Sequence, residues 1–110
     1  MATDQLSLTF AALANPTRRA ILDRLAEGEA TVAELAKPFS VSAPAISRHL
    51  KVLERAGLVS RARVAQSRPT SFRPEPLDEA DAWMQACRVT WAGRLDRLGE
   101  HLERVQGRQR

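Results

Sequence analysis

The run Ser40 to Gly57, SVSAPAISRHLKVLERAG, admits little besides a helix held from behind with its front on display. Ser42 is a good N-cap, because its hydroxyl can accept from one of the first unpaired backbone N–H groups. Pro44 falls in the first turn, where a missing N–H costs nothing. Gly57 lies just past the end, where a left-handed residue commonly stops a helix. Between these marks Ile46, Leu50 and Leu53 share one face at helical spacing. Pro44, Ser47, Arg48, Lys51 and Arg55 fall on or near the opposite face. A helix with this cationic, hydrogen-bonding front fits the DNA major groove, where the N-terminal residues reach base edges.

The preceding run, Thr31 to Phe39, reads as a short helix capped by Thr31, with Glu34 completing a capping box. Two short helices joined by a tight turn, the second basic, make a helix-turn-helix layout. The stretch SVSAPAISRHLKVLERAGLVSR closely resembles the recognition helix and wing entry of the ArsR-type winged helix-turn-helix repressors. Upstream, FAALANPTRRAILDRLAEGEATVAELA is similar to the first helices of that family. The resemblance covers about residues 6 to 106. It implies a mainly α winged helix-turn-helix, in the order α-α-α-α-β-β-α, dimeric through its first and last helices.

Charge is distributed to match. Formal net charge is +4 over 110 residues. Between Ser42 and Arg73 there are seven Lys or Arg against one acid, a net of +6, so the remainder carries −2. A basic segment on a slightly acidic body is the footprint of phosphate binding. An acidic protein or an anionic membrane surface could read the same charge. No basic amphipathic helix with bulky apolar anchors accompanies it, which disfavours a membrane partner. The hydrophobic fraction of 44% is enough for a core. The length suits one domain and is too short for two. A lone cysteine, Cys87, allows no internal disulfide and fits a reducing cytoplasm. Neither a basic leader nor a membrane-length apolar run is present.

Along the chain, residues 5 to 14 form a first helix with Leu6, Phe10 and Leu13 or Ala14 in a stripe. Apolar residues on more than one face call for packing beyond its own core. Asn15 and Pro16 open a second helix to about residue 27, with Ile21, Leu22 and Leu25 inward and Arg18, Arg19 and Arg24 outward. Pro38 ends or limits the third helix. After Gly57, residues 58 to 65 and 70 to 73 read as two strands of a hairpin wing, together spanning 58–73. Arg61, Arg63, Arg68 and Arg73 load it with charge, suited to lying along phosphates or entering a minor groove. Pro74 and Pro76 break regular structure, and a last helix runs from 77 to about 105. Trp83, Cys87, Trp91, Leu95, Leu98 and Leu102 lie on it in a single apolar stripe. One small domain cannot cover so long a stripe, so a partner subunit is expected to do so, with Leu6 and Phe10 of the first helix joining it.

Chemistry of other kinds finds little purchase. Metal sensing in the family uses a cysteine pair that aligns with Thr31 and Ala33, neither of which binds a soft cation. On the last helix, Asp96, Glu100, His101 and Glu103 include one imidazole and do not all share a face. Cys87 reads as a buried structural thiol, and His49, at the edge of the core face, as a packed or hydrogen-bonded ring. No catalytic constellation or phosphate-cradling glycine loop is evident. The resulting expectation is a single domain with no enzyme activity, metal or cofactor. It would be a cytoplasmic homodimeric repressor binding double-stranded DNA at an inverted-repeat operator. Ser42, Ala43, Pro44, Ser47, Arg48 and Lys51 would read the site, and Arg55, Arg61, Arg63 and Arg68 would anchor phosphates. The sequence names no inducer. The rival is a winged-helix module whose basic face docks an acidic protein partner.

Overall fold

A computed structural model describes residues 4–61 and 69–108. Five helices and two strands follow in the expected order: α1 Gln5–Leu13, α2 Pro16–Ala26, α3 Val32–Ala36, α4 Ala43–Arg55, β1 Val59–Arg61, β2 Thr70–Phe72 and α5 Glu75–Arg108. The chain divides into two compact units, Met1–Ala80 and Asp81–Arg110.

Helices α1 to α4 each start on a side-chain cap. Asp4, Asn15, Thr31 and Ser42 accept from the backbone N–H three residues on, and Thr31 and Glu34 complete a reciprocal capping box. Proline stands in the first turn of α2 and of α4. Gly57 has φ +76°, the left-handed conformation that ends α4. Ile21, Leu22 and Leu25 of α2, Leu35 of α3 and Ile46, Leu50 and Leu53 of α4 converge with Ala12, Leu58 and Val59 on one core. Leu8, Leu13, Val32, Phe39 and Leu77 pack on its edge.

Several boundaries differ from the sequence expectation. The third helix stops at Ala36, short of Phe39, and Pro38 lies inside the turn that follows, closed by Phe39 N–H donating to the Ala36 carbonyl (3.2 Å). The last helix begins at Glu75 instead of 77. Pro76 is a first-turn residue here, and the Pro74 carbonyl accepts from Leu77 N–H (2.9 Å), so a proline that reads as a breaker acts as a starter. Leu58 is buried outside the strand, because its N–H closes on the Leu53 carbonyl (2.9 Å).

The hairpin is antiparallel, with Val59 opposite Phe72 and Arg61 opposite Thr70. Thr70 also bridges to Ala30, its N–H donating to the Ala30 carbonyl (2.8 Å) and its carbonyl accepting in return (3.2 Å). The wing root is thus tied to the loop between α2 and α3. Thr70 is fully buried, and its Oγ1 has no hydrogen-bond partner among the described residues. A buried hydroxyl left unsatisfied costs about 1–3 kcal/mol. Thr70→Val keeps the β-branched shape and removes that penalty. It is expected to raise the melting temperature by several degrees, about 4–8 °C per kcal/mol for a domain this small. A lower melting temperature in a thermal scan would show that the hydroxyl has a partner.

The second unit is the distal part of α5, a helix about 51 Å long at 1.5 Å per residue. Trp83, Trp91, Leu95, Leu98 and Leu102 are 51–60% exposed along it. Trp83, Ala86, Cys87, Thr90 and Trp91 line a shallow groove of about 300 Å³. Cys87 is half-exposed in the single chain, where the sequence reading had it buried. No helix of the described residues is long and apolar enough to cross a membrane.

Candidate nucleic-acid interface

The back of α4 is fixed by three fully buried side chains, Ile46, Leu50 and Leu53. That anchorage sets the opposite face outward. Ser42, Ala43, Pro44, Arg48, Lys51 and Arg55 are exposed, and Ser47 is half-buried beside them. From Pro44 to Arg55 this face extends about 16 Å, comparable to the span of a major groove. Ser42 is committed in part, since its Oγ accepts from Ala45 N–H (3.3 Å). Its own O–H can still donate. Arg61 is half-buried on β1 at the root of the wing. Arg63 and Arg68 lie outside the described residues.

Two arginines that read as outward cations fold back onto the end of α1, Arg18 half-buried and Arg19 still exposed. Arg18 Nε donates to the Ala12 carbonyl (2.8 Å) and Nη2 to the Ala11 carbonyl (3.1 Å). Arg19 Nη1 donates to the Leu13 carbonyl (2.6 Å). Both side chains therefore satisfy the open carboxyl end of α1. They occupy the third and fourth positions of α2, where the positive end of the helix dipole disfavours a cation. That misfit is the signal in the sequence that another partner is needed. Arg24 likewise donates to the Gly28 carbonyl (3.1 Å).

Arg18 Nη1 also approaches His49 Nδ1 on α4 at 3.4 Å. The guanidinium can only donate, so His49 accepts and is neutral in this pairing. Burial, and then the charges of Arg18 and Arg48, hold the His49 pKa below its ordinary value. A base whose folded pKa is depressed contributes stability that is fully present above its unfolded pKa and is lost as pH falls below it. Stability should accordingly decline as pH drops below about 6.5, the ordinary value for this ring. His49→Gln keeps an acceptor for Arg18 and should flatten that decline. Urea melts across pH, with an NMR titration of His49, measure both; a midpoint above 6.5 would refute the depressed value.

On the other side of the core, Gln5 Nε2 of α1 donates to the Ala56 carbonyl at the end of α4 (2.6 Å). Helix α4 is thereby tied to α1 at its C-terminal end by Gln5 and at its middle through the Arg18–His49 pair. The local sequence pattern identifies neither partner, although the place of Arg18 in the first turn of α2 marks its need for one. Thr31, at one of the positions aligned with the family's cysteine pair, is engaged in its capping box, and Ala33 is exposed. Among the described residues no group of three His, Cys, Asp or Glu could hold a metal ion.

A basic helix held by its apolar back, preceded by a short helix and followed by a two-stranded hairpin, defines a winged helix-turn-helix domain. A family model described as a helix-turn-helix domain matches residues 13–62. The chain is 46% identical over 80 residues to the HTH-type transcriptional regulator Rv2034 of Mycobacterium tuberculosis, covering 68% of this chain and 75% of that protein. It is 39% identical over 75 residues to the transcriptional repressor SdpR of Bacillus subtilis, covering 68% and 83%. The crystal structure of an ArsR family transcriptional regulator superposes with a TM-score of 0.76 at 39% identity, over 81% of this chain and 98% of that one. A homodimeric winged helix-turn-helix DNA-binding domain, Mb0332 from Mycobacterium bovis, superposes with a TM-score of 0.60 at 28% identity, over 84% and 82%. The chain belongs to the ArsR family of winged helix-turn-helix transcriptional regulators.

Proposed function

We propose that the protein is a homodimeric repressor that binds an inverted-repeat operator in the cytoplasm and blocks transcription by occluding a promoter. The observation that carries this reading is the front face of α4, cationic from Arg48 to Arg55 with those cations exposed, and backed by three buried aliphatic residues. Arg48 is the guanine reader, since a guanidinium fork can donate to O6 and N7 together. Ser42, Ala43, Pro44, Ser47 and Lys51 complete the reading surface. Arg55, Arg61, Arg63 and Arg68 meet phosphates. Leu6, Phe10 and the α5 stripe form the dimer seam, in keeping with the homodimeric relative from M. bovis.

Arg48 and Lys51 separate base reading from phosphate anchoring. Arg48→Ala should lose about 1–3 kcal/mol of discrimination at one base pair. Lys51→Ala should weaken all sequences alike and lower the salt slope by about 1. Binding isotherms on operator and scrambled duplexes, at several salt concentrations, measure both. If both variants bind the operator as the parent does, α4 is not the reading face.

A further inference from the structure

Val41 stands apart from the polar side chains of this interface. It is 39% exposed and directly precedes the Ser42 cap. A hydrophobic residue at this place commonly packs on the fourth residue of the helix, here Ile46. Ile46 is completely buried, yet Val41 stays at the surface. The next two side chains beyond the cap, Ala43 and Pro44, are exposed as well and carry no hydrogen-bonding group.

The polar groups around this tip are largely occupied. Ser42 Oγ accepts from Ala45 N–H, and the Ser42 carbonyl accepts from Ile46 N–H (3.0 Å). Pro44 has no N–H to offer. The leading end of the reading helix is therefore mostly carbon surface, and the cations begin only at Arg48. In the major groove the base edges present one carbon group, the C5 methyl of thymine.

We propose that Val41, with Ala43 and Pro44, reads a pyrimidine C5 methyl in each half-site of the operator. This rests on the assignment of α4 as the operator-binding helix. The chemistry divides α4 in two: an apolar tip that selects a methylated pyrimidine, followed by an arginine that selects guanine. 5-Methylcytosine carries the same group as thymine, so the source of the methyl must be told apart by experiment.

The test uses the full-length protein and a duplex operator enriched from a random pool. Each thymine is replaced in turn by deoxyuridine, which removes only the methyl. At one or more positions per half-site the parent should lose about fourfold in affinity, the equivalent of one buried methyl. At that position 5-methylcytosine should bind more tightly than cytosine by a similar factor if the methyl is read whatever base bears it; equal binding would confine the reading to thymine. In Val41→Ala or Pro44→Ala the uracil penalty should shrink towards unity. Both residues are exposed, so neither variant threatens the fold.

If uracil is neutral everywhere on a specifically bound operator, the methyl reading is overturned and the operator-binding role of α4 stands. If the uracil penalty persists undiminished in both variants, another residue reads the methyl and the assignment fails. If no duplex is enriched at all, the inference falls together with the reading of α4.

Discussion

Leu95→Glu is expected to sediment as a monomer and to lose specific operator binding. Leu95 is 60% exposed in the single chain and sits mid-stripe between Trp91 and Leu98. Exposed aliphatic and aromatic side chains in a continuous row are the form of an unfilled interface. Two-fold pairing through the row would bury each glutamate against apolar neighbours without a partner charge. Stranding a buried charge costs about 3–5 kcal/mol, which weakens association by roughly a hundredfold to several thousandfold. The first unit keeps its own core, so each monomer retains an intact α4. What disappears is the second half-site, which a two-fold dimer would meet about 34–36 Å away along the duplex. The remaining association should be weak and steeply salt-dependent. Sedimentation and operator titration of the variant settle it; a dimer with normal operator affinity would place the seam elsewhere.

The elements that could be read directly were those whose signals are local. For α4, the Ser42 cap, Pro44, the Ile46–Leu50–Leu53 triad and Gly57 all lie within sixteen residues of one another, and each acts on its own neighbours. The capping box of α3 and the start of α2 at Asn15 and Pro16 were legible for the same reason. Strand limits were less so. Leu58 has the composition of a strand residue, but it is drawn into the core by its bond to Leu53. Pro76 was misleading because proline weakens a helix interior and suits a first turn, and only the position of Pro74 decides between them. The proposed expectations for Arg63 and Arg68 fall outside the described residues. Contacts between distant positions carried no pattern that identified the partner. Gln5 reaching Ala56 spans fifty-one positions, and Arg18 reaching His49 spans thirty-one.

That second contact has the larger consequence. Arg18→Ala should destabilise the first unit by about 1.5–3 kcal/mol, the contribution of a hydrogen bond to a charged group, since the Ala12 carbonyl loses its donor. Ala12 would keep an open carbonyl at the end of α1, while that of Ala11 would still accept from Ala14 N–H (3.3 Å), and α1 would lose its link to α4 through His49. Arg18→Lys should rescue only in part. An ammonium on a flexible stem cannot span Ala11, Ala12 and His49 as the planar fork does. In the proposed assembly α1 contributes to the dimer seam and α4 reads DNA, so Arg18 joins the two. Loosening that joint should reduce operator affinity more than it reduces binding to non-specific duplex, because only the operator demands a fixed relation between the two reading helices. Chemical denaturation and paired operator and scrambled-duplex titrations at a temperature where Arg18→Ala remains folded measure the two effects separately. Parent-like stability would show that the carbonyls of α1 are satisfied without Arg18. An equal loss on both duplexes would show that the residue caps a helix and nothing more.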